Sequence, residues 1–596
     1  MSKPSFLVVL PFTLVSALAQ YVPTQKQSVV VTGTYEPLSL EEIDRAIRVL
    51  PIRANDLVLN TLVDALKLDP SLDLGERAPN GIQADLSIRG STFGQTLVLL
   101  NGLRLNDVQT GHHNMDIPVP LETITRLEVM RGSGSTMYGS DAIGGVLNVI
   151  TAPPDATEFR LRTAFGSDGI NQQRASFGIA GKKLSEQVSF SRDFSTGFMP
   201  DRDYRNLQFA SVTSLVTTYG TGTLNLAYMD HPFGANQFYG PYNSWEDTKT
   251  WFAGVSQPLG EYTNISFGFR RHSDLFVLLR DQPDVYANHH SDEEYQLAIR
   301  RRTEFGVSTT LFYGLEGIHE SIASNNLGDH SRSRAAAYAA LDWRALKRYS
   351  LTISAREEIY RTWSGAFTPT IAGGAWLSSR TKLRASASRA FRIPTYTDLY
   401  YHDPANQGNP NLRPESAWTY EAGLDWLPSP HTRADLTIFD RRVRDGIDYY
   451  RNSPTDVWRA LNIQNLTFRG IEAGLRWTPS NVNTFDFRYT ALNGSQDTIS
   501  AGATKYTFNY PKNYGIFSWT ITPSANFLFR TRVGVVERYA QSPYVLCDVY
   551  AALPHGRVHP FIQATNLSNT GYQEVAGVPM PGRTIVGGVE LVFRKQ

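Results

Sequence analysis

LETITRLEVMRGSGSTMYGSDAIGGVLNVIT, residues 121–151, decides how the rest of this chain is read. Ile124, Leu127 and Val129 are apolar, and Arg126 and Glu128 alternate with the last two, so the stretch begins as a strand. Arg131-Gly132-Ser133-Gly134-Ser135 breaks it, because paired glycines permit positive-φ backbone that a side chain disfavours. Gly139 to Gly145 is a second break, and Val146-Leu147-Asn148-Val149-Ile150 is another short strand. Two enzyme readings fail on single positions. Gly134 and Gly139 have the spacing of a phosphate-binding loop, but Ser140 stands where its lysine belongs. Gly132 and Gly134 begin a dinucleotide fingerprint, but Met137 fills its third glycine position.

The composition narrows the class further. At 596 residues the chain exceeds one ordinary domain, and a net charge of +1 gives no basic field for nucleic acid. Cys547 is the lone cysteine, so neither an intrachain disulfide nor a thiolate metal site is expected; no metal site or cofactor is expected elsewhere. No run of eighteen apolar residues occurs, which excludes a transmembrane helix. Barrel strands remain open, because their alternation averages to a mildly polar composition. At the start, Lys3, the apolar run Phe6 to Val15 and Ala17-Leu18-Ala19 ahead of Gln20 form an export signal over residues 1–19.

After the signal, Ser28-Val29-Val30-Val31-Thr32 is a short β-prone run with no strand partner legible beside it. Ile43 to Leu68 has helical content, with Leu59, Leu62, Val63 and Leu66 on one face. Ile82 to Gly90 and Gln95 to Asp107 read as strands, the second split at the hairpin dipeptide Asn101-Gly102. Between two such strands lies the polar loop Thr110 to Asp116, TGHHNMD. It is read either as solvated or as a binding loop, and its adjacent His112 and His113 should project apart. Beyond Phe159, polar–apolar alternation recurs. Tyr420-Glu421-Ala422-Gly423-Leu424-Asp425-Trp426 puts its acids on one face, and Ile471-Glu472-Ala473-Gly474-Leu475-Arg476-Trp477 repeats the pattern. Apolar-out, polar-in strands ending in Trp or Tyr are what a lipid-facing barrel with an interfacial girdle requires. A soluble sandwich also alternates, but it would not place charges on its core face.

These residues resemble the TonB-dependent outer-membrane receptors. The resemblance rests on Ile124, Glu128-Val129-Met130-Arg131-Gly132, Tyr138-Gly139-Ser140 and Ala142 to Thr151. Leu86 to Gly90 and Val98 to Arg104 extend it through the first domain. Phe391 to Thr395, Gly408 to Glu415, Asn566-Leu567 and Pro581-Gly582-Arg583 carry it to the C-terminal end. Ser133 departs from the family, which often has proline there, and Arg594-Lys595-Gln596 departs from its terminal aromatic, a role left to Phe593. The resemblance implies a mainly β fold: an α/β plug over residues 40–152 inside an antiparallel transmembrane barrel over 153–596, with a TonB box and linker over 20–39. At ~20 residues per strand with its connections, 153–596 gives about 22 strands.

It further implies a bacterial outer-membrane protein embedded in lipid, monomeric, and not an enzyme. TonB, with the inner-membrane energising complex, would be its partner through Ser28, Val29, Val30, Val31 and Thr32. Arg89, Arg126, Glu128 and Arg131 would hold the plug to the wall. An extracellular metal-complex substrate would meet Thr110, His112, His113 and Asn114 at the plug apex. Phe238, Tyr239, Tyr242 and Trp245, in an outer loop expected over 231–248, are the second candidate group. Within the family the look is closest to the vitamin B12 (cobalamin) receptors, with iron–siderophore receptors the alternative. A passive porin or a surface binding protein is the reading from another class, and the plug counts against the porin.

Overall fold

The computed structural model describes residues 29–30, 32, 38–463, 465–496, 502–524 and 526–595; the expected signal peptide lies outside them. Among the described residues, twenty-two antiparallel strands close into one barrel, from Glu158–Gly166 to Thr584–Arg594. These two strands pair with Phe159 opposite Phe593. Their rings stack at 6.3 Å across the closing seam.

The wall follows from the pleat, which sends successive side chains to opposite faces. In Leu466–Trp477, Ile471, Leu475 and Trp477 are exposed while Glu472 is buried; in Glu415–Ser429, Tyr420 and Trp426 are exposed while Glu421 is buried. The apolar face meets hydrocarbon and the polar face meets the plug. Connections at one rim are short, such as 181–183, 218–219 and 260–262; those at the other include 196–203, 278–286, 393–414, 445–465 and 566–583. The long-loop rim is extracellular by the usual asymmetry of such barrels. The outer loop expected over 231–248 is shorter than read: Gly220–Asn236 and Asn243–Leu259 continue as strands, leaving only 237–242 as connection. Polar residues there alternate inside a tall strand that projects beyond the lipid rather than ending it.

Inside, the plug carries a five-stranded mixed sheet in the order Ile47–Pro51, Ile124–Arg131, Gly145–Thr151, Thr96–Leu100, Leu103–Arg104. Gly145–Thr151 is central, antiparallel to Ile124–Arg131 and parallel to Thr96–Leu100. Thr96–Leu100 and Gly145–Thr151 are buried throughout, so they read as continuous apolar runs rather than alternating ones. A Cβ on Gly145 would collide with the Met130 carbonyl of the neighbouring strand, which is why glycine opens this strand. Asn101 (φ 52°) and Gly102 (φ 82°) form the expected tight turn, both in the left-handed region. A second hairpin pairs Leu72–Ala78 with Gln83–Ile88.

The helical content read within 43–68 lies in its second half, as a 3-10 turn at Asp56–Val58 and a short α-helix. Ile47–Pro51 is a strand, because it finds a partner in Ile124–Arg131, and only Leu62–Leu66 is α-helical, capped by Thr61 and Asp64. Leu59, Val63 and Leu66 are buried as the apolar face requires, with Leu62 packed at its edge.

Candidate functional site at the plug–barrel junction

The outer floor of the lumen is the plug hairpin tip and the loop Thr110 to Asp116. The loop is not solvated. His112 Nδ1 lies 2.8 Å from Asp85 and its Nε2 3.3 Å from the Tyr506 hydroxyl of an outer loop. Its ring stacks on Phe93 at 4.2 Å. Asp85 is also held by Arg77 at 2.6 Å. Burial holds the His112 imidazole below its ordinary pKa despite Asp85. Burial alone would raise the Asp85 carboxyl, but Arg77 and His112 hold it below the usual carboxylate range. His113 turns the other way, to Asp274 at 3.4 Å and Asp116 at 3.6 Å. Burial opposes its charge too, yet Asp274 outweighs burial and pushes His113 up to about 9.

Two of the expected apex donors are therefore already engaged. His113 and Asn114 are each 4 % exposed. Asn114 accepts from the Asp107 amide at 2.9 Å and donates to the Phe93 carbonyl at 3.3 Å. Thr110 caps the turn Gly111–His113. Only His112 and Thr110 keep partial exposure, because the outer loops fold inward over the apex. Tyr396 and Thr397 donate main-chain hydrogen bonds to the carbonyls of Val108 (3.1 Å) and Gln109 (2.9 Å). Asn406–Gln407, Trp458–Ile463, Gly446–Arg451 and Ala503–Thr504 add a small sheet to this cover.

The expected aromatic group divides. The Tyr239 hydroxyl accepts from Gln83 of the plug at 2.6 Å and donates to Glu246 at 3.2 Å, so it joins the floor. Phe238 is buried beneath the Arg202 guanidinium at 4.4 Å, and Tyr242 is exposed at the tip. Trp245 is corrected outright. It shares its side of the strand with the exposed Trp251 and faces away from the lumen.

Ion pairs dominate the seam between plug and wall. Arg89, held at φ 55°, lies between Glu421 and Glu472, the latter at 2.6 Å from its Nε. Arg131 shares Glu472 at 3.0 Å. Arg538 of the wall forks onto Asp73 at 2.7 and 2.8 Å, and Lys382 reaches Asp44 at 2.8 Å. Arg126 and Glu128 do not extend this seam. Two residues apart on one strand, they share a face and pair with each other at 2.8 Å within the plug. Apolar contacts between plug and wall accompany the ion pairs in separate patches: the plug core against Ala210, Ala227 and Phe252, Ile143 among Ala390, Ala417 and Phe439, Leu57 and Val58 against Phe561 and Val586, and Ala78 and Ile82 against Tyr204 and Phe233.

At the inner end, Ser28 and Val31 lie outside the described residues. Val29–Val30 pairs antiparallel with Leu38–Ser39, a partner that was not legible in the sequence. Thr32 is tied into the plug: its amide donates to Glu128 at 2.8 Å, and its hydroxyl accepts from Asn148 at 2.9 Å.

A closed barrel with an apolar outer face, filled by an inner domain, defines a plugged membrane barrel. The chain matches the family described as TonB dependent receptor-like, beta-barrel over residues 136–574, and the TonB-dependent Receptor Plug Domain over 45–146. It belongs to the TonB-dependent receptor family: an outer-membrane transporter rather than an enzyme. Among its relatives, the Vitamin B12 transporter BtuB of Vibrio vulnificus (strain CMCP6) is 24% identical over 533 residues, covering 83% of this chain and 82% of that protein. The Iron-regulated outer membrane virulence protein of Vibrio cholerae serotype O1 (strain ATCC 39315 / El Tor Inaba N16961) is 27% identical over 481 residues, covering 72% and 71%. Among solved structures, the siderophore receptor PirA from Acinetobacter baumannii superposes with a TM-score of 0.77 at 14% identity, over 92% of this chain and 98% of that one.

Proposed function

We propose that this protein imports a cobalamin-class corrinoid, the chain acting as a monomer and TonB supplying the work. The kinship that runs through both plug and barrel to proteins named as vitamin B12 transporters carries the choice of substrate. The floor of the outer mouth suits a large ligand: His112, Phe93, Tyr239 and Tyr506 offer stacking faces and hydrogen-bonding groups on a rigid base. Ferric siderophores are the second reading, favoured by the fold likeness to siderophore receptors.

Energy enters at the box, Ser28 to Thr32. Strand addition needs main-chain hydrogen bonds and little side-chain identity, and among the described residues the pairing that TonB would replace joins Val29–Val30 to Leu38–Ser39. Thr32 then passes the pull to Glu128 and Asn148, on the two innermost strands of the plug sheet. A seam of ion pairs can re-form after such displacement. Growth of a deletion strain carrying this gene on limiting cobalamin, against limiting iron, tests the substrate. Rescue on cobalamin alone is expected; rescue only on ferric siderophores would replace it. Removing Ser28 to Thr32 should abolish rescue while leaving surface binding intact.

A further inference from the structure

Behind His113, away from the stacking floor, the plug loop packs on the lumen face of wall strands Gly220–Asn236, Asn243–Leu259, Thr263–Val277 and Ala287–Phe305. The register sets His272 opposite Asp292 and Asp274 opposite His290. One oxygen of Asp116 lies 3.1 Å from His272 Nε2 and 3.6 Å from His113 Nδ1. The nitrogen at the far side of each ring faces another carboxylate: His272 Nδ1 is 2.9 Å from Asp107, and His113 Nε2 is 3.4 Å from Asp274. The ligand-type atoms of His113, Asp116 and His272 all lie within 4.8 Å of one another, and all three side chains are buried or nearly so. His231, outside this 4.8 Å group, is 2 % exposed with neither ring nitrogen hydrogen-bonded, and Asp116 and His113 are among the charges that act on it.

This is the pattern of a metal centre. A ligating histidine turns one nitrogen to the ion and donates its other N–H to a carboxylate, which fixes tautomer and ring orientation. Without an ion, His113 and His272 each sit between two carboxylates, whereas His231 is buried with no hydrogen-bond partner, a costly state for a polar group. The charges agree: Arg270, at 2.7 Å from Asp107 and 2.9 Å from Asp292, is the fixed cation in contact with an otherwise acidic group.

We propose that His113, Asp116 and His272 bind a bare divalent transition-metal ion of the zinc class, with the unpartnered His231 turning in as fourth ligand and Asp107 and Asp274 as outer-sphere acceptors. Imidazole and carboxylate donors at this ratio suit zinc, cobalt(II) or nickel(II) over magnesium or calcium. Two ligands ride on the plug and two on the wall. On the transport reading above, plug displacement would therefore take the site apart and free the ion.

The test uses the full-length receptor purified in detergent, stripped with a chelator and titrated with Zn(II) by calorimetry and with Co(II) by visible absorption. Saturable zinc binding and intense four-coordinate cobalt bands are expected. His231→Gln, which removes no existing hydrogen bond, should leave heat-modifiable barrel mobility unchanged and weaken zinc at least tenfold. Asp107→Asn should weaken it by about 10–100-fold. Absence of saturable zinc binding by folded receptor, saturation by calcium instead, or unchanged affinity in folded His231→Gln would each overturn the site. Neither cobalamin nor TonB enters this assay, so its failure is distinct from failure of the corrinoid reading.

Discussion

In the plug, Thr96–Leu100 and Gly145–Thr151 are buried along both faces, whereas in the wall Leu466–Trp477 alternates between exposed apolar and buried polar side chains. The plug thus has an apolar core of its own, and the wall turns its apolar face outward to lipid. Between them lie ion pairs interspersed with small apolar patches. The seam at Arg89, Arg131, Glu421 and Glu472 is fully formed and nearly dry, yet it is built of contacts that exchange partners more readily than a packed core rearranges. A domain so mounted can be rigid in itself and still be moved by a tug on its N-terminal end.

The largest expected effect breaks the seam. Glu472→Leu removes the carboxylate shared by Arg89 and Arg131, leaving the buried Arg131 guanidinium uncompensated, at a cost of about 3–5 kcal/mol. Hydrogen exchange should quicken in the plug strands of the purified receptor while the barrel keeps its heat-modifiable mobility. Unchanged plug exchange would mean that the apolar patches between plug and wall hold the plug instead.

The wall is tested next. Ile471→Arg places a charge on the lipid face in mid-strand, costing about 2–4 kcal/mol near the bilayer midplane. Leu475→Arg lies closer to the Trp477 girdle and should cost less, and Arg476→Leu, on the other face, should assemble normally. Heat-modifiable gel mobility ranks the three; an inverted ranking would refute the assignment of faces.

The smallest effect sharpens the link from box to plug. Thr32→Val removes the hydrogen bond from Asn148 but keeps the main-chain bond to Glu128, for about 0.5–1.5 kcal/mol. Faster amide exchange confined to Gly145–Thr151 is expected. No change there would show that the pull reaches the sheet through Glu128 alone.

Periodicity and turn chemistry are local, so the sequence by itself determined much of this protein. The two-residue alternation around Glu421 and Glu472, the count of about 22 strands, the Asn101-Gly102 turn and the two strands flanking the glycine breaks are all readable from neighbouring residues. Tertiary structure decided what depends on partners distant in the chain. Ile47–Pro51 is a strand because Ile124–Arg131 is there to pair with it, a strand that no local pattern announced. Arg89 and Arg131 found wall carboxylates and Arg126 did not, because facing depends on how the plug sits in the barrel. His113 and Asp116 meet His272 only when wall strands in register are wrapped around the plug loop, a meeting no spacing along the chain encodes.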